Sequence, residues 1–75
     1  MNRWHGNTLY TTEIIEDKVD GCISMDLYGS SDGAKRFIGR ITFFDAMGQH
    51  GVEQINEEIP PEIFEEYYKE ATKLN

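Results

Sequence analysis

The sequence predicts an α+β fold, in which a four-stranded antiparallel meander is followed by one C-terminal amphipathic helix packed on one sheet face. Three observations predict this β-β-β-β-α order. β-Favouring stretches alternate with turn residues as far as residue 59, one of those stretches has a clear two-residue period, and residues 61–74 have a helical period. We therefore expect a single domain over residues 1–75, with an N-terminal arm (1–7), a meander (8–59) and a helix (61–74).

The first two strands are predicted from residue type and alternation. Residues 8–16 are rich in β-branched side chains, and residues 17–21 supply turn chemistry. Residues 22–28 then place alternate side chains on opposite faces, with Ile23, Met25 and Leu27 on one and Cys22, Ser24, Asp26 and Tyr28 on the other. Because side chains alternate across a strand, this pattern indicates a strand that is buried mainly on one face.

The third strand is the longest, and the fourth is ambiguous in type. Residues 29–33 are interpreted as a loop and residues 35–45 as the third strand. Residues 52–59 fit a helical stripe about as well as a strand. A strand is favoured, because glycines precede the segment and Pro60-Pro61 ends it. Alternation along the third strand predicts two faces, one with Phe37, Ile41 and Phe43 and the other with Ile38, Arg40, Thr42 and Phe44.

The C-terminal segment has the signals of a helix at both ends. Pro61 suits a first helical position, Glu62 lies where the helix dipole favours an anion, and Lys69 and Lys73 lie where it favours cations. One apolar stripe runs along this helix, formed by Ile63, Phe64, Tyr67, Ala71 and Leu74. We expect the stripe to pack on the sheet face that carries Ile23, Met25, Leu27, Phe37, Ile41 and Phe43.

One helix cannot cover both faces of a four-stranded sheet, so the second face needs its own explanation. Scattered apolar residues are common on any protein surface, but aromatic residues are typical of interface cores. We therefore expect this face to mediate self-association as a homodimer, or to bind a ligand, through Asp26, Tyr28, Ile38, Arg40 and Phe44. Asp26 and Arg40 are expected to pair across neighbouring strands.

Length, charge and cysteine usage limit the classes of protein that fit. The chain has 75 residues with 14 acidic and 7 basic side chains, a formal charge of −7, which supports one domain with a thin core. The single cysteine, together with the absence of a signal-like or membrane-spanning apolar run, predicts a cytoplasmic protein. The negative charge disfavours nucleic acid and membrane surfaces as partners and favours basic proteins. Residues 41–75 carry −6 of this charge.

Candidate catalytic and metal-binding residues lack a supporting pattern. Residues 29–33 match G-x-S-x-G, the nucleophile elbow of hydrolases, but their flanks indicate a hairpin loop. The histidines His5 and His50 have no companion at a diagnostic spacing, and a metal site with Cys22 would need distant segments to converge. We therefore expect neither a cofactor nor a metal.

The acidic residues before and within the helix lead to the functional prediction. Glu62, Glu66 and Glu70 follow one another at four-residue spacing and share a helix face, which Glu58 approaches from the preceding segment. Such a row is either a solvated surface or a binding site for a basic protein. The second interpretation predicts a small acidic non-enzymatic protein-interaction module, an inhibitor or adaptor that binds a basic protein surface through this acidic helix.

The alternative prediction uses the other surface of the domain. A small-ligand-binding protein or enzyme could form its pocket between the subunits of a homo-oligomer. The residues expected to line that pocket are Asp26, Tyr28, Arg40 and His50.

Overall fold

Alternating strands and tight turns build one antiparallel sheet with a helix packed on one of its faces. The computed structural model describes residues 1–17, 21–44 and 47–74. Each strand pairs with the next along the chain, so the spatial order of the strands is the chain order. The predicted α+β class and C-terminal helix are confirmed, but the described residues form five strands rather than four: β1 (Asn2–His5), β2 (Thr8–Asp17), β3 (Cys22–Ser31), β4 (Ala34–Phe44) and β5 (Gln49–Ile55), followed by α1 (Pro61–Ala71).

The additional strand is β1, in the segment that the sequence predicts as an arm. β1 pairs with β2 through a turn at Gly6 and Asn7, so that Trp4 lies opposite Leu9. Gly6 has a φ of +60°, a left-handed conformation that glycine adopts without steric strain. A four-residue strand is too short to have a recognisable alternation, which is why the pattern of the sequence missed it.

The β3–β4 hairpin is tighter than predicted. Its turn consists of Asp32 and Gly33, with φ angles of 51° and 80°, and residues 29–31 belong to β3. Two consecutive positive φ angles are the geometry that short hairpins prefer. The residues that match G-x-S-x-G, 29–33, therefore lie at the end of a strand and in a hairpin turn. This location agrees with the prediction of a hairpin in place of a nucleophile elbow.

A β-bulge in the middle of β4 changes which residues face the helix. Leu27 lies opposite Gly39, whereas the next residue, Tyr28, lies opposite Phe37, so Ile38 has no partner on β3. Such an extra residue reverses the alternation of the strand beyond it. Ile38 therefore joins the core beneath the helix, fully buried, and Phe37 lies beside Tyr28 on the other face. The predicted placement of Ile38 on the uncovered face and of Phe37 in the core is wrong for this reason.

Gly39 lies next to the bulge, at a point where β5 passes very close to the backbone of β4. A Cβ atom at this position would lie 2.9 Å from the backbone oxygen of Gln54 and 2.9 Å from Cδ1 of Ile55. Both neighbours belong to the β5 side of the hairpin, where a second register shift follows Arg40. The close approach of β5 therefore requires glycine at this position of β4.

β5 begins and ends earlier than predicted. It covers Gln49–Ile55 rather than residues 52–59, and residues 56–60 lead from the sheet to the helix. The strand interpretation of this segment is thus correct for its first half. Residue 45, the predicted end of the third strand, and residues 18–20 of the first predicted turn lie outside the described residues.

The core forms between one face of α1 and the sheet. Ile63, Tyr67 and Ala71, spaced four residues apart, are buried, and Phe64 and Leu74 are partly buried beside them. The sheet contributes Tyr10, Met25, Leu27, Ile38 and Ile41. The helix begins at Pro61 as predicted and ends at Ala71, three residues before the predicted end.

Candidate protein-interaction site

The face of the sheet opposite α1 has no covering element among the described residues. Side chains of directly opposed residues on antiparallel strands point to the same side, so the strand register identifies the residues of this face. We call it the open face and define it by seven residues on β1 to β4: Trp4, Leu9, Asp26, Tyr28, Phe37, Arg40 and Phe44. Asp26, Tyr28, Arg40 and Phe44 were predicted for the uncovered face. Ile38 was also predicted there, but it lies in the core on the helix side.

An ion pair between Asp26 and Arg40 lies at the centre of the open face. The two residues are opposite one another on β3 and β4. Arg40 donates from Nε to Oδ1 over 2.6 Å and from Nη2 to Oδ2 over 2.8 Å, a bidentate geometry. The Asp26 side chain is 2% exposed and that of Arg40 is 35% exposed. The hydrogen bond to Asp26 raises the pKa of the Arg40 guanidinium above its ordinary value. The cross-strand contact of these two residues was expected from the sequence.

Aromatic rings and cations surround this ion pair. Tyr28 and Phe37 meet edge to face, with ring centroids 5.8 Å apart. The Arg40 guanidinium carbon lies 5.6 Å from the Phe37 ring centroid, and Lys35 Nζ lies 4.5 Å from that of Tyr28. Lys35 Nζ also donates to the Glu13 carboxylate over 3.1 Å. Each cation thus contacts both a ring and a carboxylate, which restricts the rotamers of the whole cluster.

Polar residues next to the ion pair are also hydrogen-bonded. The hydroxyls of Ser24 and Thr42 lie 2.9 Å apart across β3 and β4, and the Thr42 hydroxyl donates to the Glu53 carboxylate. In the part of the chain that the structure describes, every buried side-chain nitrogen and oxygen has a hydrogen-bond partner. The open face is therefore a preorganised surface, since none of these groups needs a new partner to be stable.

Apolar side chains extend the open face toward its edge. Trp4 on β1 is 65% exposed, and its neighbour Leu9 on β2 is partly buried. Phe44 is partly buried near the other end of β4. Exposed and partly exposed aromatic residues together with an arginine are residue types that protein interfaces favour.

The acidic row predicted on the helix, Glu62, Glu66 and Glu70, faces β1 and the residue before it, Met1. Glu62 Oε1 lies 2.6 Å from His5 Nε2, Glu66 accepts a hydrogen bond of 3.0 Å from Arg3, and Glu70 accepts one of 2.8 Å from the α-ammonium group of Met1. Alternate residues of a strand advance by about 6.8 Å, and residues four apart on a helix by about 6 Å, so the two rows match.

This pairing changes the interpretation of the acidic residues. Three of the four predicted partner-binding acids already contact Met1, Arg3 or His5 of their own chain, whereas Glu58 is exposed in the segment before α1. A basic protein that bound the acidic row would compete with these contacts. The signal was present in the sequence as the alternate spacing of Arg3 and His5, but nothing local indicated that this segment would lie beside the helix.

The structure separates the four residues of the predicted ligand pocket. His50 lies opposite Phe43 on the helix side of the sheet, where its Nε2 is 2.7 Å from the Leu74 carbonyl oxygen and its ring is 4.9 Å from that of Phe43. Asp26, Tyr28 and Arg40 lie on the opposite face. His50 therefore connects β5 to the end of the helical segment and does not contribute to the open face.

The described residues hold neither a metal-binding cluster nor a membrane-spanning helix. No group of three or more histidine, cysteine, aspartate or glutamate side chains within residues 1–17, 21–44 and 47–74 has the geometry to hold a metal ion. Over the same residues, no helix has the length and apolar character needed to cross a membrane. A depression of about 290 Å³ lies beside the acidic row, and its lining is charged: Arg3, Glu62, Glu65, Glu66 and Lys69.

Two surface carboxylates predict how stability depends on pH. The pKa of Glu57 is lowered by hydrogen bonds from Arg36, and that of Glu62 is lowered by its own backbone amide and by His5. Folding therefore favours their charged forms. The free energy of unfolding should fall as the pH drops below their ordinary pKa of 4.5, because the unfolded chain then binds more protons than the folded one.

Chemical denaturation at a series of pH values measures this effect. The double variant Glu57→Gln/Glu62→Gln should have a shallower acid slope than the wild type. Glu58→Gln, which removes one negative charge from an exposed position in the same region, serves as the charge control. An unchanged acid slope in the double variant would show that these hydrogen bonds do not stabilise the folded state.

Comparison with known proteins adds no relative to this description. No family model, no curated protein and no solved structure matches the chain. The functional proposal therefore rests on the geometry of the chain's own residues.

Proposed function

We propose that this chain is a small non-enzymatic protein-interaction module, an inhibitor or adaptor, that binds a more basic partner protein through the open face of its sheet. The observation that carries the proposal is the cluster of Tyr28, Phe37 and Arg40 around the buried carboxylate of Asp26. This cluster lies on the face that α1 leaves uncovered.

The chemistry of the cluster favours a protein as its partner. Tyrosine and arginine are among the residues that contribute most to binding energy at protein interfaces. Bidentate bonds to Asp26 orient the Arg40 guanidinium, and the edge-to-face contact with Phe37 orients Tyr28. Less side-chain entropy is therefore lost on binding than for free surface residues. Trp4 and Phe44 add apolar area at two ends of the face.

The charge of the molecule favours a basic partner. The chain carries a formal charge of −7, whereas Arg40 on the open face and Lys35 beside it are already paired with Asp26 and Glu13. Long-range attraction therefore steers a positively charged protein toward the domain, and the aromatic cluster supplies the short-range contacts. A cytoplasmic location, expected from the single cysteine, belongs to the same proposal.

The open face replaces the acidic helix as the proposed binding surface. Glu62, Glu66 and Glu70 already contact Arg3 and His5 of β1 and Met1 before it, so a partner that bound through them would compete with these contacts. Binding at the open face involves no such competition. Rigid preformed surfaces of this kind change little when they bind.

Photo-crosslinking tests the proposal directly. A benzoylphenylalanine residue replaces Phe44 on the open face, or Tyr68 on the exposed side of α1 as a matched aromatic control. After irradiation in cell extract, the Phe44 position should give an adduct with a protein of basic isoelectric point, and the Tyr68 position should not. Adduct yield should fall with rising salt concentration, because steering between opposite charges is screened.

A second substitution separates specific binding from chance contact. In the Phe44 crosslinking background, Phe37→Ala should abolish the adduct while the circular dichroism spectrum is retained. Adducts that form equally from both crosslinking positions, or that survive Phe37→Ala, would refute binding through the open face. An adduct of the mass of two copies of this chain would instead identify the open face as a self-association surface.

A further inference from the structure

We propose that the outer edge of β5 binds an extended peptide segment in which apolar and basic residues alternate, and that this segment adds a sixth strand to the sheet. The inference goes beyond the proposed function, because it concerns a backbone edge and does not involve Tyr28, Phe37 or Arg40. The chemistry of the bound segment follows from the backbone, the apolar side chains and the charges of β5.

The backbone of β5 has unpaired hydrogen-bonding groups along its outer edge. β4 is its one strand neighbour among the described residues, so alternate residues of β5 direct their N–H and C=O groups away from the sheet. The amide of Asn56, directly after β5, donates to the carbonyl oxygen of Ile38 over 2.7 Å. Because the preceding residue points the opposite way, the N–H and C=O of Ile55 are directed outward. Such an edge is the template for strand addition by an extended peptide.

The side chains of Val52 and Ile55 give this edge an apolar side. Val52 lies opposite Ile41, a core residue beneath α1, and Ile55 lies opposite Gly39. Both side chains therefore lie on the helix side of the sheet, yet they are 48% and 43% exposed. An added strand places its own alternate side chains beside them, so apolar residues at those positions bury this surface.

The other side of the β5 edge is acidic. Glu53 is the extra residue at the register shift beside Arg40; it is exposed, and its carboxylate accepts a hydrogen bond from Thr42. Residues 49–60 include three glutamates and neither lysine nor arginine. The side chains of an added strand that point to this side therefore meet negative charge, which favours lysine or arginine there.

A flexible segment suits this edge better than a second copy of the chain. The register shift at Glu53 increases the twist of β5, and natural sheets use such shifts to prevent rigid edges from pairing. Two copies would also bring together two acidic edges of chains that each carry a formal charge of −7. A single segment can follow the twist, and β5 contains neither the lysine nor the proline that commonly protects an edge.

A synthetic peptide tests the chemistry of the bound segment. The probe is a fluorescein-labelled octapeptide of alternating lysine and valine, and its control has the same residues as a block of lysines followed by a block of valines. Fluorescence anisotropy should give a dissociation constant about tenfold lower, or more, for the alternating peptide. Equal affinities would show attraction by net charge alone and would overturn the proposal.

Methylation of the peptide backbone tests strand addition itself. Only alternate residues of an added strand donate hydrogen bonds to β5, and in an antiparallel segment these are the valines opposite Ile55. N-methylation of one set of amides, all valines or all lysines, should therefore weaken binding about tenfold or more, whereas methylation of the other set should be tolerated. Equal losses from the two sets would rule out strand addition.

Ile55→Lys locates the binding site. Lysine at this exposed position removes an apolar contact and repels the basic segment, so the dissociation constant of the alternating peptide should rise about tenfold or more. Ile14→Lys is the matched control, because Ile14 is 55% exposed on the same side of the sheet but belongs to β2, opposite Met25. Equal effects of the two variants would place the peptide elsewhere and contradict the proposal. Val52→Lys gives the same test if Ile55→Lys does not fold.

Sedimentation equilibrium of the chain without peptide completes the test. Ile55→Lys should leave the mass of the free chain unchanged, because no second copy occupies the edge of β5. If the free wild-type chain dimerises and Ile55→Lys abolishes the dimer, a second copy covers this edge and the proposed peptide site is wrong.

Discussion

Replacing Arg40 with glutamine should lower the free energy of unfolding by about 2–3 kcal/mol, more than replacing Asp26 with asparagine. The reason is the unequal exposure of the pair, 2% for the Asp26 side chain and 35% for that of Arg40. Removing Arg40 leaves a buried carboxylate without its bidentate partner, and such a group typically costs about 3–5 kcal/mol when it is fully enclosed. The partial exposure of the site reduces that figure.

The reverse substitution leaves the more exposed partner behind. In Asp26→Asn, the Arg40 guanidinium can turn toward water, so we expect a loss of about 1 kcal/mol. Urea denaturation of both variants and of the double variant gives the coupling energy of the pair, which we expect to be large because the two residues share both hydrogen bonds.

Lys35→Gln provides the control for these variants. It breaks the ion pair with Glu13 on the same sheet, but both of those side chains are about half exposed, and exposed pairs contribute about 0–1 kcal/mol. If Arg40→Gln were no more destabilising than Lys35→Gln, the central ion pair would not stabilise the fold. In the crosslinking assay, Asp26→Asn should weaken binding while the fold is retained, because it releases the orientation of Arg40.

Replacing Ile38 with alanine should destabilise the protein by about 2–5 kcal/mol, and Phe37→Ala should destabilise it less. Ile38 is completely buried between the sheet and the helix, whereas Phe37 is partly exposed on the open face. A cavity under α1 cannot be filled by water or by neighbouring side chains without loss of packing. Phe37→Ala removes one edge-to-face contact and a cation-π contact, and it leaves the core unchanged.

Thermal or urea denaturation of the two variants tests the position of the bulge in β4. Simple alternation along this strand would place Phe37 in the core and Ile38 outside, and would give the opposite order of stabilities. Ile41→Ala, whose residue is buried on the helix side under either alternation, gives the reference for a core truncation. A Phe37→Ala loss equal to that of Ile41→Ala, with little loss in Ile38→Ala, would contradict the bulge.

Much of the fold could be predicted because it depends on local patterns. The alternation of Ile23, Met25 and Leu27 predicts a half-buried strand, and Met25 and Leu27 are in the core. The four-residue spacing of Ile63, Tyr67 and Ala71 predicts the buried face of the helix. Asp26 and Arg40 could be predicted as partners, because each stands out as a charged residue in an apolar strand.

Other features could not be predicted because they depend on residues that are distant in the chain. The bulge at Ile38 and Gly39 exists where residues of β5 approach the backbone of Gly39, and no residue near it in sequence reveals that approach. The same holds for β1, whose four residues are stable as a strand only beside β2 and the helix.

The sequence by itself determined the α+β class, the helix and its buried stripe, and the negative charge. These follow from periodicity and composition, which neighbouring residues express without help from the rest of the chain. Only the tertiary structure decided that Phe37 rather than Ile38 lies on the open face, and that Glu62, Glu66 and Glu70 contact His5, Arg3 and Met1. Both outcomes depend on contacts between segments far apart in the chain, because register and strand order are set by how the elements pack together.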